Sequence, residues 1–143
     1  MESNKHHSLV KKIYEYVSSL DFIESRLIQS DIFEVSGIVT RMPEGFVPDL
    51  FYCYKDYLII GEAKTDEDFE KEHSLLQYHS YFDFIRKKSK LGFNCIFVMA
   101  VPWETTKAAI RICNKYSKGD NVMIVIINEL GVFKAYEKNN NGE

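Results

Sequence analysis

At 143 residues, with 45% hydrophobic and 14% aromatic content, the chain is one domain's worth of sequence and too apolar for a disordered protein. A formal net charge of −3 excludes a uniformly basic nucleic-acid binder, although steering depends on where charges sit rather than on their sum. No apolar run approaches the ~20 residues of a membrane helix, and the opening Met1-Glu2-Ser3-Asn4-Lys5-His6-His7 lacks the regions of a signal peptide, so a cytoplasmic protein without membrane association is expected.

Leu9, Ile13, Tyr16, Val17 and Leu20 recur at helical spacing, which predicts a first helix over residues 7–20. Phe33-Glu34-Val35 and Ile38-Val39-Thr40 are candidates for short strands around Gly37, leading into a loop at 42–46. Glu34 and Glu44 read as surface carboxylates.

Residues 48–64 read as two strands joined by a tight turn at Lys55-Asp56, because Phe51, Tyr52, Tyr54, Tyr57, Leu58, Ile59 and Ile60 are aromatic, branched or apolar. Asp49 sits near the start of the first strand and Glu62 near the end of the second, and an antiparallel hairpin lays those ends side by side. Alternation along the strand places Glu62 and Lys64 on one face and Ala63 on the other. Two carboxylates and an ammonium at the end of an apolar hairpin are costly unless a cation is held there.

Thr65 as N-cap, with Asp68 three residues on, predicts a helix over 66–88 whose crowded acids complement its dipole. Leu75, Tyr78, Phe82 and Ile85 form its core stripe. His73, Gln77 and Tyr81 stack along a neighbouring stripe that can look back at the carboxylates; His73 reads as a helix-surface residue.

Residues 93–101 form a continuous apolar run, hence a buried strand, broken at Pro102-Trp103. A helix over 105–117 follows, with Ala109, Ile112, Cys113 and Tyr116 inward. Its outward row of Lys107, Arg111 and Lys115 is explained by a solvated face, with a phosphate contact as the alternative. Strands at 122–127 and 132–136 flank a turn at 128–131, and a polar tail without structure is expected at 139–143. Buried strands separated by a helix favour parallel pairing, so the expected fold is a single α/β domain over 1–138 with a central mixed sheet flanked by helices. Cys53, Cys95 and Cys113, odd in number and set in apolar contexts, read as buried free thiols.

Pro48-Asp49, Glu62-Ala63-Lys64 and Gln77-Tyr78-His79-Ser80-Tyr81 together resemble the PD-(D/E)xK nuclease superfamily, with the QxxxY helix motif of its RecB-type members. The resemblance spans residues 48–81, and its specificity lies in the combination of motifs rather than in any one of them. It implies a restriction-endonuclease-like αβββαβ core, with a strand within 31–40, and a Mg²⁺- or Mn²⁺-dependent nuclease acting on nucleic acid, DNA before RNA. It further implies that Asp49, Glu62 and the Ala63 carbonyl are metal ligands, that Lys64 orients water and stabilises developing charge, and that Gln77 and Tyr81 orient the lysine or the phosphate. It also offers Glu15 on the first helix as a residue that reaches the metal, although no motif residue surrounds it and the residues alone read it as a solvated surface glutamate. The acidic charge balance departs from many relatives. No DNA-reading segment accompanies the motifs, so specificity is expected from a homodimer or a partner protein. Two other readings are a non-catalytic binding subunit of the same fold in a larger complex, and a small α/β protein binding an anionic metabolite without divalent cations.

Overall fold

A computed structural model describes residues 4–30, 38–118 and 120–136, the last three of these by their backbone alone. In chain order the elements are α1 (Asn4–Ser18), β1 (Leu50–Tyr54), β2 (Tyr57–Ala63), α2 (Glu72–Lys90), β3 (Asn94–Ala100), α3 (Thr106–Ser117), β4 (Val122–Asn128) and β5 (Gly131–Tyr136), with 3₁₀ turns at Ser25–Leu27 and Trp103–Thr105. The strands make a five-stranded mixed sheet in the order β1-β2-β3-β4-β5. The two outer pairs are antiparallel, while β2, β3 and β4 run parallel and are connected through α2 and α3.

Strand alternation sorts the core into two layers. Leu50, Tyr52, Ile59, Ile96 and Val98 face α1, where Leu9, Val10, Ile13 and Val17 cover them. Phe51, Leu58, Ile60, Phe97, Met99 and Ile126 face α2 and α3, against Tyr78, Tyr81, Phe82 and Ile112. Gly61 lets α1 approach the sheet closely: a Cβ there would lie 2.7 Å from Ile13 Cγ2 and 3.2 Å from Leu50 Cβ.

Three expectations are corrected. The second long helix begins at Glu72, not at 66. Thr65 Oγ1 still donates to Asp68 Oδ2 at 3.3 Å. The chain then turns to bury Phe69, whose carbonyl accepts from the Tyr78 hydroxyl at 2.7 Å while the Asp68 carbonyl accepts from Ser74 Oγ at 2.6 Å. Burying that ring overrides the local helix-start signal. Cys53 is exposed rather than buried, because it lies near the hairpin tip on an outer strand. Residues 38–40 are not in a strand; the rest of the strand expected within 31–40, with Glu34, lies outside the described residues, as does the tail at 139–143. Among the described residues Gln29 bridges the outer edge of β1, exchanging backbone hydrogen bonds of 2.8 and 2.9 Å with Phe51. Its side-chain oxygen accepts from the Thr40 amide and hydroxyl at 2.7 and 2.8 Å. Among the described residues no helix is long and apolar enough to cross a membrane.

Candidate active site

The hairpin register decides which side chains meet. The tight turn pairs Tyr54 with Tyr57, and the ladder runs from there to Leu50 opposite Gly61. One step beyond, Asp49 stands beside the end of β2, where its Oδ2 accepts the Ala63 amide at 2.8 Å. The amide and carbonyl of one residue leave a strand on the same side. The Ala63 carbonyl is therefore directed toward the Asp49 side, while the neighbouring Lys64 amide turns the other way and donates to the Ala100 carbonyl at 3.0 Å.

Glu62 and Lys64 point to the α2 face. Both are buried, at 4% and 8% exposure, in a layer otherwise made of aromatic and aliphatic side chains. The Glu62 carboxyl is gripped from two sides: Oε1 accepts from the Tyr81 hydroxyl at 3.0 Å, and Oε2 lies 3.4 Å from Lys64 Nζ. Lys64 Nζ donates in turn to Gln77 Oε1. Gln77 and Tyr81 stand one turn apart on the buried side of α2, so a single helix face holds both the lysine and the glutamate.

The electrostatics are unbalanced. Burial raises the Glu62 pKa and the nearby charge of Asp49 raises it further; Lys64 and the Tyr81 hydrogen bond offset only part, leaving it at about 8. Burial and the Glu62 charge push the Tyr81 phenol upward, which keeps it a hydrogen-bond donor. Ionising Glu62 beside the Asp49 charge in a buried site is costly, which is why the carboxyl holds its proton to higher pH.

His6 belongs to the same site and is absent from the motifs. Its Nε2 lies 3.3 Å from Asp49 Oδ2, with both side chains mostly covered. The signal was present in helical phase, since His6 continues the stripe of Val10, Ile13 and Val17 by one turn at the N-terminal end of α1. Glu15, by contrast, is not brought to Asp49. It is exposed and lines a hollow with Lys12, Tyr16, Ser19 and the turn at Asn128–Gly131. It sits about two and a half helical turns beyond His6, which puts it on the opposite side of α1. His73 is exposed and packs edge-on against Phe46, 5.4 Å between centroids. Glu44, read as a plain surface carboxylate, accepts from Ser80 Oγ at 2.5 Å; that hydrogen bond lowers its pKa and pins the 42–46 loop to α2.

Asp49, Glu62, Lys64, Gln77 and Tyr81 are thus gathered at one end of the sheet. Among the described residues no group of three or more His, Cys, Asp or Glu is arranged as a metal cage. What the arrangement can do is present two carboxylates and a strand carbonyl to a hard cation, beside a fixed ammonium. Set against models of known protein families, curated proteins and solved structures, the chain matches none of them.

Proposed function

We propose that the chain is a metal-dependent nuclease of restriction-endonuclease-like fold, hydrolysing phosphodiester bonds of nucleic acid, DNA foremost. The observation that carries this reading is the Glu62 carboxyl, buried beside Asp49 and raised in pKa by burial and by the Asp49 charge, an arrangement that a bound cation would relieve. The donor set fits Mg²⁺ or Mn²⁺. Two carboxylates and a carbonyl leave coordination positions for water and phosphate, as Mg²⁺ prefers, and fall short of the fuller oxygen cage that Ca²⁺ uses. Each carboxylate is anchored through stated atoms, Asp49 through Oδ2 and Glu62 through Tyr81 and Lys64, so both are oriented in advance.

Asp49, Glu62 and the Ala63 carbonyl would hold the cation, which would supply a water of lowered pKa and positive charge beside the phosphoryl oxygens. Lys64, fixed by Gln77 and Glu62, places a positive charge where the phosphorane-like transition state gains negative charge. An ammonium paired with a carboxylate is a poor proton acceptor, so its role is orienting and electrostatic rather than that of a general base. Tyr81 holds the Glu62 carboxyl in place, and Gln77 does the same for the Lys64 amine.

The test is cleavage of labelled duplex, supercoiled plasmid, single strands, four-way junction and RNA with Mg²⁺, Mn²⁺ or EDTA. Metal-dependent cutting that falls by about 10²–10³ in Lys64→Ala is the expected result. If no substrate is cut, while wild type binds Mn²⁺ calorimetrically and Glu62→Ala does not, the chain is a binding subunit of the same fold. Neither cutting nor Mn²⁺ binding would leave an anion-binding protein whose carboxylates are structural.

A further inference from the structure

The two flanks of the carboxylate site carry opposite charge. On one flank, the segment that follows Lys64 sets Asp66, Glu67, Asp68, Glu70 and Glu72 on the surface. Among the described residues two cations answer them: Lys71 Nζ lies 3.2 Å from Asp68 Oδ1, and Arg111 Nη2 lies 3.9 Å from Glu70 Oε2. Glu67 follows Lys64 by three residues, so the two Cα atoms are at most about 11 Å apart. That is little more than one screening length, about 8 Å at physiological salt. A polyanion crossing this flank is therefore repelled at short range.

The other flank is α1. Its first turn holds no acidic residue, and His6 brings that turn to the site, with Nε2 3.3 Å from Asp49 Oδ2. Lys5, His7 and Lys11 are exposed there. His7 and Lys11 stand one turn apart on a single side of the helix, and Lys5 is at its tip beside His6. Among the described residues neither Lys5 nor Lys11 is in ion-pair contact with a carboxylate. The acid of this helix, Glu15, lies a turn beyond Lys11 and lines the hollow toward Asn128–Gly131 with Lys12 and Glu129.

The remaining basic stretches are neutralised or remote. Arg86 lies 2.9 Å from Asp120 and 3.6 Å from Asp83, Lys87 lies 3.2 Å from Asp83, and Lys88 covers the rings of Phe84 and Phe93. These residues and Lys90 close α2, which leads into the start of β3 at the end of the sheet away from Glu62. Lys115, in the last turn of α3, is at that far end as well. Arg111 faces Glu70, and Lys107 shares its hollow with Glu104.

We propose that nucleic acid leaves the carboxylate site over α1, its phosphates met by Lys5, His7 and Lys11, and that the acidic 66–72 segment turns it away from α2. The proposal rests on the nuclease reading. It accounts for how a chain of net charge −3 holds a polyanion, since the local arrangement of charge steers binding rather than the sum.

A fluorescein-labelled duplex of about 20 base pairs and its single strand are titrated into the full chain in EDTA at several salt concentrations, read by anisotropy, and their cleavage is followed in Mg²⁺. Lys5→Glu and Lys11→Glu should each weaken binding roughly five- to tenfold at low salt and reduce the salt slope for the duplex by about 0.9, one phosphate contact. KM should rise in the same two variants while kcat is kept. Lys5→Glu puts an acid in the first turn of a helix, which the helix dipole favours, so its loss of binding is not a loss of fold. Lys11→Gln, which adds no negative charge, should lose less than Lys11→Glu, and Asp66→Asn with Glu67→Gln should tighten binding. Wild-type affinity and KM in both α1 variants would overturn the docking face and leave the nuclease reading intact. So would an equal loss in Lys90→Glu, because net charge rather than one face would then set the affinity. No anisotropy change with either oligonucleotide, together with no metal-dependent cleavage, would overturn both.

Discussion

Burial and the charge on Asp49 push the Glu62 carboxyl in one direction, and Lys64 and Tyr81 pull it in the other. The result is a pKa of about 8 against an ordinary 4.5. Between those values the folded protein keeps a proton that the unfolded chain has released, so the metal-free fold loses stability as pH rises through that window and levels off above it. Denaturation midpoints across the window should show this slope, and Glu62→Gln should flatten it; a flat wild-type profile would contradict the assignment. For the same reason Mn²⁺ binding near neutrality should release a proton, seen as a buffer-dependent binding enthalpy that Glu62→Gln lacks. Tyr81→Phe removes a donor from a buried carboxylate and should cost about 1.5–3 kcal/mol above the Glu62 pKa, less below it, and should weaken Mn²⁺ binding.

Among the elements, α1 and β2 constrain each other most tightly. A methyl group at Gly61 meets Ile13 Cγ2 at 2.7 Å, so Gly61→Ala should cost about 1–3 kcal/mol in chemical denaturation by forcing α1 outward. Leucine lacks that branched methyl, and the same substitution in an Ile13→Leu background should cost measurably less; strict additivity would rule out the contact as the cause. Because α1 also carries His6 to Asp49, Gly61→Ala should lower Mn²⁺ affinity although it touches neither carboxylate. At the other end of the hairpin Lys55 occupies the left-handed region at φ 55°, where glycine pays no steric cost. Lys55→Gly should therefore raise stability by up to about 1 kcal/mol, read from the denaturation midpoint.

At the scale of the whole molecule, the two layers of core predict which thiols react. Cys113 is sealed between α3 and the sheet, and burial pushes its pKa upward; burial likewise takes Cys95 to about 11. Cys53 is exposed near the hairpin tip. A thiol reagent should label Cys53 quickly in the native protein, and Cys95 and Cys113 only on unfolding. Cys53→Ser should abolish the fast phase, and fast labelling of Cys113 would mean that α3 opens readily from the sheet.

The elements that follow from local rules were legible in the sequence. A two-residue turn between alternating strands sets its own register, so Asp49 and Glu62 converge without help from distant residues. Helical phase alone places Gln77 and Tyr81 on one stripe of α2, and apolar runs mark β3 and β4. What tertiary structure decided concerns segments whose local signals compete with long-range burial. Phe69 delays the start of α2 because sealing its ring against Tyr78 outweighs a favourable cap. His6 joins Asp49, and Glu15 turns away, because the packing of α1 over Gly61 selects which side of that helix meets the sheet. Trp103 and the hairpin residues Leu130 and Phe133 come from two separated stretches, and only the strand order sets them around one groove. Spacing along a chain determines which side chains share a face; which faces meet is decided by the burial energy of the assembled core.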